Sequence, residues 1–134
     1  MHLQGKNALI TGGTRGIGYA IVKKYAENGA NVAFTYLNSA EKAKAIEEEI
    51  STTYGVKAKA YQSDAASYSA SETLVADVIR DFGQIDILVN NAGITKDNLI
   101  LRMSEEQFDE VIDANLKSVF NLTKQVSKHM LRQK

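Results

Sequence analysis

The chain has 134 residues, 44% of them hydrophobic, and 16 basic side chains balance 16 acidic ones to a formal net charge of zero. One domain with a substantial core is expected at this length, and the balanced charge gives no general attraction to nucleic acid or to a membrane surface. The absence of cysteine excludes disulfides, thiolate catalysis and the usual zinc-finger ligands. No apolar run approaches the roughly 18 residues of a spanning helix. We therefore expect a soluble, cytoplasmic protein with no metal, nucleic-acid or membrane partner.

Short β-rich runs alternate with longer helical runs along the whole sequence. The predicted strands are residues 7–10, 31–36, 56–62 and 85–89. The last of these has the continuous apolar character expected of a buried parallel strand. This alternation is typical of an α/β fold with a parallel sheet.

The first two helices have recognisable boundaries. The first is predicted to begin at a glycine-rich turn and to end at Asn28-Gly29, a common helix C-terminal signal. Its predicted apolar stripe consists of Ile17, Ile21 and Tyr25. The second is predicted to start at Ser39 and to bury Ala43, Ile46 and Ile50.

The third and fourth helices each start at a pair that resembles a capping box. The pairs are Ser69 with Glu72 and Ser104 with Gln107. The predicted stripe of the third helix is Leu74, Val75, Val78, Ile79 and Phe82, and that of the fourth is Phe108, Ile112, Leu116, Val119, Val126 and Met130.

Right-handed crossovers between these strands predict a Rossmann-type parallel sheet of order 3-2-1-4 with flanking helices. In such a sheet, ligands bind at the crevice where the chain reverses direction, here between strands 1 and 4. The candidate site is therefore the turn that follows strand 1.

That turn reads TGGTRGIG, from Thr11 to Gly18. Glycines permit a tight strand-to-helix turn and close backbone approach, and the helix N-terminus offers unpaired N–H groups to a pyrophosphate. A nucleotide P-loop would need Gly-Lys-Ser/Thr, but Gly18 is followed by Tyr19 and Ala20. The alternative that remains open is a glycine-rich turn without a ligand.

TGGTRGIG followed downstream by Asn90-Asn91-Ala92-Gly93 resembles the short-chain dehydrogenase/reductase family. Within it, residues 93–120 look most like the 3-oxoacyl-acyl-carrier-protein reductases of fatty acid synthesis. The resemblance spans residues 1–134 as a partial NADP-binding domain, truncated after the fourth helix. It implies cofactor contacts from Thr11, Gly12, Thr14, Arg15, Gly16, Ile17, Gly18, Tyr36, Asn38, Ser39, Asp64, Ala65, Asn91, Ala92 and Gly93.

Some of these assignments have an alternative. Asn90 and Asn91 would lie along the central loop of the cofactor, or they would serve only as turn residues. Asp64 would accept the adenine amino group, or it would serve only as a turn residue. The resemblance makes Asn115 the catalytic asparagine, which holds a water in the proton relay. A polar residue in mid-helix supports a role for it, because such side chains lower helix propensity.

The cofactor type depends on the residues after strand 2. A carboxylate there would accept the 2′-hydroxyl of NAD and repel the 2′-phosphate of NADP. Residues 28–40 contain no Asp or Glu, and Tyr36 occupies the place of the acid. Arg15 in the glycine turn supplies a positive charge nearby, which would attract the 2′-phosphate. The missing carboxylate and this charge together predict NADP(H).

The Tyr19-x-x-x-Lys23 spacing imitates the catalytic Tyr-x-x-x-Lys of this family, but it lies on the first helix, beside the phosphate end of the cofactor. No other tyrosine has a lysine four residues later. We therefore expect this chain alone to be inactive, since it lacks the catalytic serine and tyrosine. The sequence leaves open whether it is a non-catalytic or self-associating fragment, or part of another ketone reductase of the family.

Two partners are expected. Lys124, Lys128 and Arg132 recur every four residues and share one helix face, which is either a solvated face or a docking site for the acidic acyl carrier protein. A strand 4 left as an uncharged sheet edge, together with the apolar fourth helix, predicts a homo-oligomer.

Overall fold

A computed structural model describes residues 2–14, 16–91 and 104–133, without the side chains at 108 and 111–115. The strands are β1 (Asn7–Ile10), β2 (Asn31–Tyr36), β3 (Ala58–Gln62) and β4 (Ile87–Val89). The helices are α1 (Gly16–Glu27), α2 (Ala40–Tyr54), α3 (Tyr68–Phe82) and α4 (Glu105–Gln133). Within these ranges, no helix is long and apolar enough to cross a membrane.

The four strands form one parallel sheet of order β3-β2-β1-β4, which confirms the predicted topology. The bounds of β1 and β2 agree with the prediction, whereas β3 and β4 each begin two residues later than predicted. Ile85 is buried but lies outside the ladder, and the side-chain amide of Gln133 on α4 pairs with both of its peptide groups. A side chain here takes the place of a neighbouring strand.

The core has two layers, one on each face of the sheet, because successive strand residues point to opposite faces. On one face, α1 and α2 cover Ala8, Ile10, Val32 and Phe34. On the other face, α3 and α4 cover Leu9 and Ala33. The three residues predicted to be buried on α2 are all buried, which confirms that stripe.

The apolar stripe predicted for α1 is wrong at its first residue. Ile17 is 74% exposed, and the buried face consists of Gly18, Val22 and Ala26. The face begins with glycine because Gly18 lies against the backbone of Gly12 and the side chain of Asn91, where it has no room for a side chain. Ile21 and Tyr25 are half-buried and pack at the border of the core.

The stripe predicted for α4 is also partly wrong, since Leu116 and Val119 are exposed whereas Val126 is buried and Met130 packs against the core. Phe108 and Ile112 lie outside the described side chains. The face that packs on the rest of the protein contains Ser118, Asn121, Leu122, Gln125 and Val126. Asn121 on this face donates to the carbonyl of Ala65 inside the fold, so apolar periodicity alone does not locate the face.

The predicted cap of α4 is confirmed and that of α3 is wrong. Ser104 and Gln107 exchange both side-chain-to-backbone bonds, at 2.9 and 3.1 Å. Helix α3 begins two residues earlier than its predicted box, because the hydroxyl of Ser67 accepts the N–H of Ala70 at 3.2 Å. Ser69 therefore lies within the first turn of α3.

Candidate functional site: the turn after β1

The turn after β1 is attached to the end of β4. The N–H of Thr11 donates to the carbonyl of Val89 at 3.1 Å, and the buried hydroxyl of Thr11 accepts the N–H of Asn91 at 2.9 Å. The side-chain amide of Asn91 donates to the carbonyl of Gly12 at 3.1 Å. The two sequence motifs that predicted the site therefore contact one another at the predicted crevice.

The same turn is attached to β2 on its other side. The N–H of Gly12 donates to the hydroxyl of Thr35 at 3.0 Å, and the N–H of Gly13 donates to the Thr35 carbonyl at 3.0 Å. A Cβ on Gly13 would lie 2.7 Å from the Cβ of Phe34. Thr35 was not predicted as a site residue, although a polar residue near the end of a buried strand was a usable signal.

Glycine is required at Gly18 for steric reasons. A Cβ at that position would run into the carbonyl of Gly12 and come within 2.5 Å of Asn91 Nδ2. Gly12 and Gly16 have positive φ values of 71° and 58°, a conformation that favours glycine. Helix α1 can therefore begin directly against the turn.

The N-terminus of α1 fits an anionic group. Its first turn contains no acidic residue, and Gly16 and Ile17 are both exposed at this end. Unpaired N–H groups and the positive end of the helix dipole favour a phosphate at such a position. The residues present thus fit the pyrophosphate of a dinucleotide.

The residues predicted to contact the ribose lie at the same edge of the sheet. Tyr36 ends β2 and is half-buried, and Asn38 and Ser39 are exposed between β2 and α2. Ser39 occupies the N-cap position of α2 but makes no side-chain capping bond. Thr14, in the glycine turn, is buried.

The residues predicted to contact adenine follow β3. Asp64 is exposed, and its carboxylate accepts the N–H of Ala66 at 3.0 Å, as the turn interpretation requires. Ala65 is buried, and its carbonyl accepts the side-chain amide of Asn121 at 3.1 Å. Asn121 is only 1% exposed and was not predicted, although the mid-helix argument applied to Asn115 holds equally for it.

Several predicted residues fall outside the described part of the chain. Arg15, Ala92 and Gly93 lie outside it, and so does the side chain of Asn115, whose backbone belongs to α4. Asn90 is described: its side-chain amide donates to the hydroxyl of Thr123 on α4 at 3.3 Å, which connects the end of β4 to that helix.

The Tyr19 and Lys23 pair does not form an activated tyrosine. The Tyr19 hydroxyl donates to Glu49 of α2 at 2.6 Å, and this hydrogen bond raises the pKa of the tyrosine. The Lys23 ammonium lies 5.1 Å from the ring centroid, over the ring. A lysine that activates a tyrosine would lower its pKa, so the geometry favours a structural role.

The basic face of α4 is partly engaged with aromatic rings. The Lys124 ammonium lies 5.2 Å from the ring centroid of Tyr68 and 5.8 Å from that of Phe120. The Lys124 ammonium beside the exposed Tyr68 lowers the pKa of that tyrosine. Lys128 and Arg132 are exposed farther along the helix.

Comparison with known proteins gives consistent matches along the chain. A sequence profile described as short chain dehydrogenase matches residues 6–134. The 3-oxoacyl-acyl-carrier-protein reductase FabG of Staphylococcus epidermidis is 49% identical over 129 residues, which are 96% of this chain and 52% of that protein. The chain thus spans about half the length of the curated relatives it matches.

Solved structures agree with the fold. A short chain dehydrogenase from Burkholderia cenocepacia in complex with NADP is 41% identical with a TM-score of 0.89, and the match covers 96% of this chain and 52% of that one. A NAD⁺-bound xylitol dehydrogenase is 33% identical with a TM-score of 0.92, and the match covers 99% of this chain and 51% of that one.

Proposed function

The chain belongs to the short-chain dehydrogenase family, and from this premise we propose that residues 1–134 form the NADP(H)-binding part of a cytoplasmic 3-oxoacyl-acyl-carrier-protein reductase. The observation that carries the proposal is the glycine turn held between β2 and the end of β4. The similarity to the staphylococcal reductase supports the substrate class.

When bound, NADPH would supply the hydride for the β-keto carbon of the substrate. The N-terminal end of α1 would hold its pyrophosphate. Asp64 and Ala65 would lie at the adenine, and Asn91, Ala92 and Gly93 would lie along the middle of the cofactor. Asn115 would position a water for proton transfer, as the family resemblance implies.

The preference for NADP(H) rests on the end of β2. No acidic residue occurs between residues 28 and 40, and Tyr36 ends the strand. The NADP-bound relative supports this preference. The NAD⁺-bound relative shows that the same fold accepts either cofactor, so the choice depends on local residues.

Fluorescence titration with NADPH and NADH tests the cofactor proposal. We expect weak binding that favours NADPH, and we expect Tyr36→Asp to weaken NADPH at least about tenfold by repelling the 2′-phosphate. Tyr36→Phe is the matched control, because it keeps the ring without adding charge. Tighter binding of NADH by the unaltered chain would contradict the proposal.

A different substrate is the second candidate, since the xylitol dehydrogenase match favours a reductase of sugars or polyols. In either case, we propose that this chain alone binds the cofactor without turnover, because it contains no activated Tyr-x-x-x-Lys pair. An assay with acetoacetyl thioester and with xylulose should show no substrate-dependent NADPH oxidation. Turnover of either substrate would refute the proposed inactivity and identify the substrate class.

We also propose that acyl carrier protein docks on the basic face of α4, formed by Lys124, Lys128 and Arg132. These side chains follow one helix face, and acidic partners are steered to such a face by long-range attraction. Lys128→Glu should weaken carrier-protein binding about tenfold in a low-salt titration. Lys44→Glu on α2 is the matched control. Equal effects of the two changes would contradict docking at the basic face of α4 and would indicate that this face is only solvated.

A further inference from the structure

We propose that Thr35 of β2 is a positioning residue that sets the orientation of the phosphate turn. The inference rests on the proposed cofactor function, which assigns the turn to a pyrophosphate. Thr35 would not touch the cofactor itself. It would act through Gly12 and Gly13, whose N–H groups it holds away from the ligand.

Thr35 offers two acceptors to the turn. Its hydroxyl accepts the N–H of Gly12 and its carbonyl accepts the N–H of Gly13, both at 3.0 Å. Both glycine donors are therefore directed towards β2. The N–H donors for a pyrophosphate then come from beyond Gly13, at the start of α1.

Because Thr35 is buried, its hydroxyl is hard to replace as the acceptor of the Gly12 N–H. The residue is 2% exposed, so water does not replace a lost acceptor without a local opening of the fold. A buried N–H left without a partner is costly. The branched side chain also restricts the torsion that places the hydroxyl. Gly12 is therefore held in one orientation before any ligand arrives.

Thr35 completes a two-sided clamp on the turn. Asn91 holds the carbonyl of Gly12 from the β4 side, and Thr35 holds its N–H from the β2 side. The residue after Thr35 is Tyr36, at the proposed ribose site. The clamp thus fixes the pyrophosphate end of the site relative to the ribose end.

The test compares Thr35→Val, which removes the acceptor at nearly constant shape, with Thr35→Ser, which keeps a hydroxyl. Thr35→Val should weaken NADPH and NADH equally, by about tenfold, because the pyrophosphate is common to both. Thr35→Ser should stay within about twofold of the unaltered chain. The equal loss distinguishes Thr35 from Tyr36, whose substitution changes the preference between the cofactors.

A ligand-free measurement accompanies the titration. Amide hydrogen exchange at Gly12 should be at least about tenfold faster in Thr35→Val than in Thr35→Ser. Val32→Ala is the matched control: it removes buried volume from the other end of β2 without touching the turn. It should lower the free energy of unfolding but leave cofactor affinity unchanged. The exchange rate at Gly12, taken relative to the other protected amides of the same protein, should also stay unchanged.

The outcomes separate this inference from the proposed function. An unaltered chain that binds neither cofactor would refute the proposed function, and the exchange of Gly12 would still test the role of Thr35. Unchanged Gly12 exchange or unchanged affinity in Thr35→Val would overturn the inference. An equal loss of affinity in Val32→Ala, measured well below both unfolding temperatures, would also overturn it, because it would indicate a general effect of stability.

Discussion

Asp81, near the end of α3, connects that helix to the edge strand β3. Its Oδ2 accepts a hydrogen bond from Lys59 Nζ at 2.9 Å and another from the Tyr61 hydroxyl at 2.7 Å. These two bonds, with a further one from Arg80, hold the pKa of Asp81 well below its usual range. Burial, and then the bond to Asp81, raises the pKa of Tyr61. The carboxylate is thus the acceptor on which the contact depends.

Asp81→Asn should lower the denaturant midpoint at pH 7, because the neutral amide loses the ion pair with Lys59 and is a weaker acceptor. A depressed carboxyl pKa gives stability that is complete above the unfolded-state pKa and is lost as the pH falls below it. The difference between the two proteins should therefore shrink below about pH 4. Denaturant titrations from pH 7 to pH 2 measure this difference.

Asp77→Asn is the matched control for that experiment. Asp77 lies on the same helix and pairs with Arg80 at 3.0 Å, with 34% of its side chain exposed. An exposed pair contributes little, so the midpoint of this variant should stay near that of the unaltered chain. Equal destabilisation by the two substitutions would contradict the role given to Asp81.

Gly18→Ala should destabilise the fold by about 3 kcal/mol, because the added methyl group overlaps the backbone of Gly12. Gly16→Ala is the matched control: its Cβ meets open space, so only the positive φ costs free energy, about 1 kcal/mol. Chemical denaturation measures both values. A Gly18→Ala protein as stable as Gly16→Ala would show that the turn opens without strain.

Individual side chains of the site were predictable where a motif marks them. Gly18 and Asn91 belong to motifs, and the contact between them follows from strand order. Thr35 and Asn121 belong to none, and their roles arise from backbone groups that only the folded chain brings near them. The spacing of residues in a single sequence does not predict a contact between a side chain and a backbone group that is distant in the chain.

The start of α3 depends on one hydroxyl. Ser67→Ala removes the acceptor of the Ala70 N–H and should cost about 1 kcal/mol of unfolding free energy. Ser69→Ala is the matched control, because Ser69 lies inside the first helical turn and should change stability by less than about 0.5 kcal/mol. Thermal denaturation followed by circular dichroism compares them. A larger effect at Ser69 would support the cap that the sequence had suggested.

Helices and strands were predictable as elements, but their packed faces were less so. Apolar runs locate a strand directly, because both of its faces are covered in a parallel sheet. The buried face of a helix depends on its neighbour. In α4 that face includes Asn121 and Gln125, while Leu116 is 67% exposed, so the apolar stripe located the face only in part.

The order of the sheet was predictable because right-handed crossovers leave few alternatives. Within the described residues, β4 pairs only with β1, and α4 exposes Leu116, Val119 and Phe120. An unpaired strand edge favours association, and so do exposed apolar side chains that share one helix face.

We therefore predict that the chain self-associates at micromolar concentration, and sedimentation velocity measures this directly. Val119→Glu should shift the distribution towards the monomer, because the charge opposes burial of the exposed face of α4. Ala45→Glu, on the exposed face of α2, is the matched control and should leave the distribution unchanged. A monodisperse monomer of the unaltered chain would refute the prediction.

The most direct test of the cofactor site is an amide NMR titration of this chain with NADPH. We predict that the largest shifts occur between Gly12 and Gly18 and between Tyr36 and Ser39. The protein has another cleft, of about 480 Å³, beside β3 and α3 and lined in part by Gln62, Thr73 and Asp77. Shifts concentrated in that cleft, or no shifts at millimolar NADPH, would contradict the assignment of the glycine turn as the cofactor site.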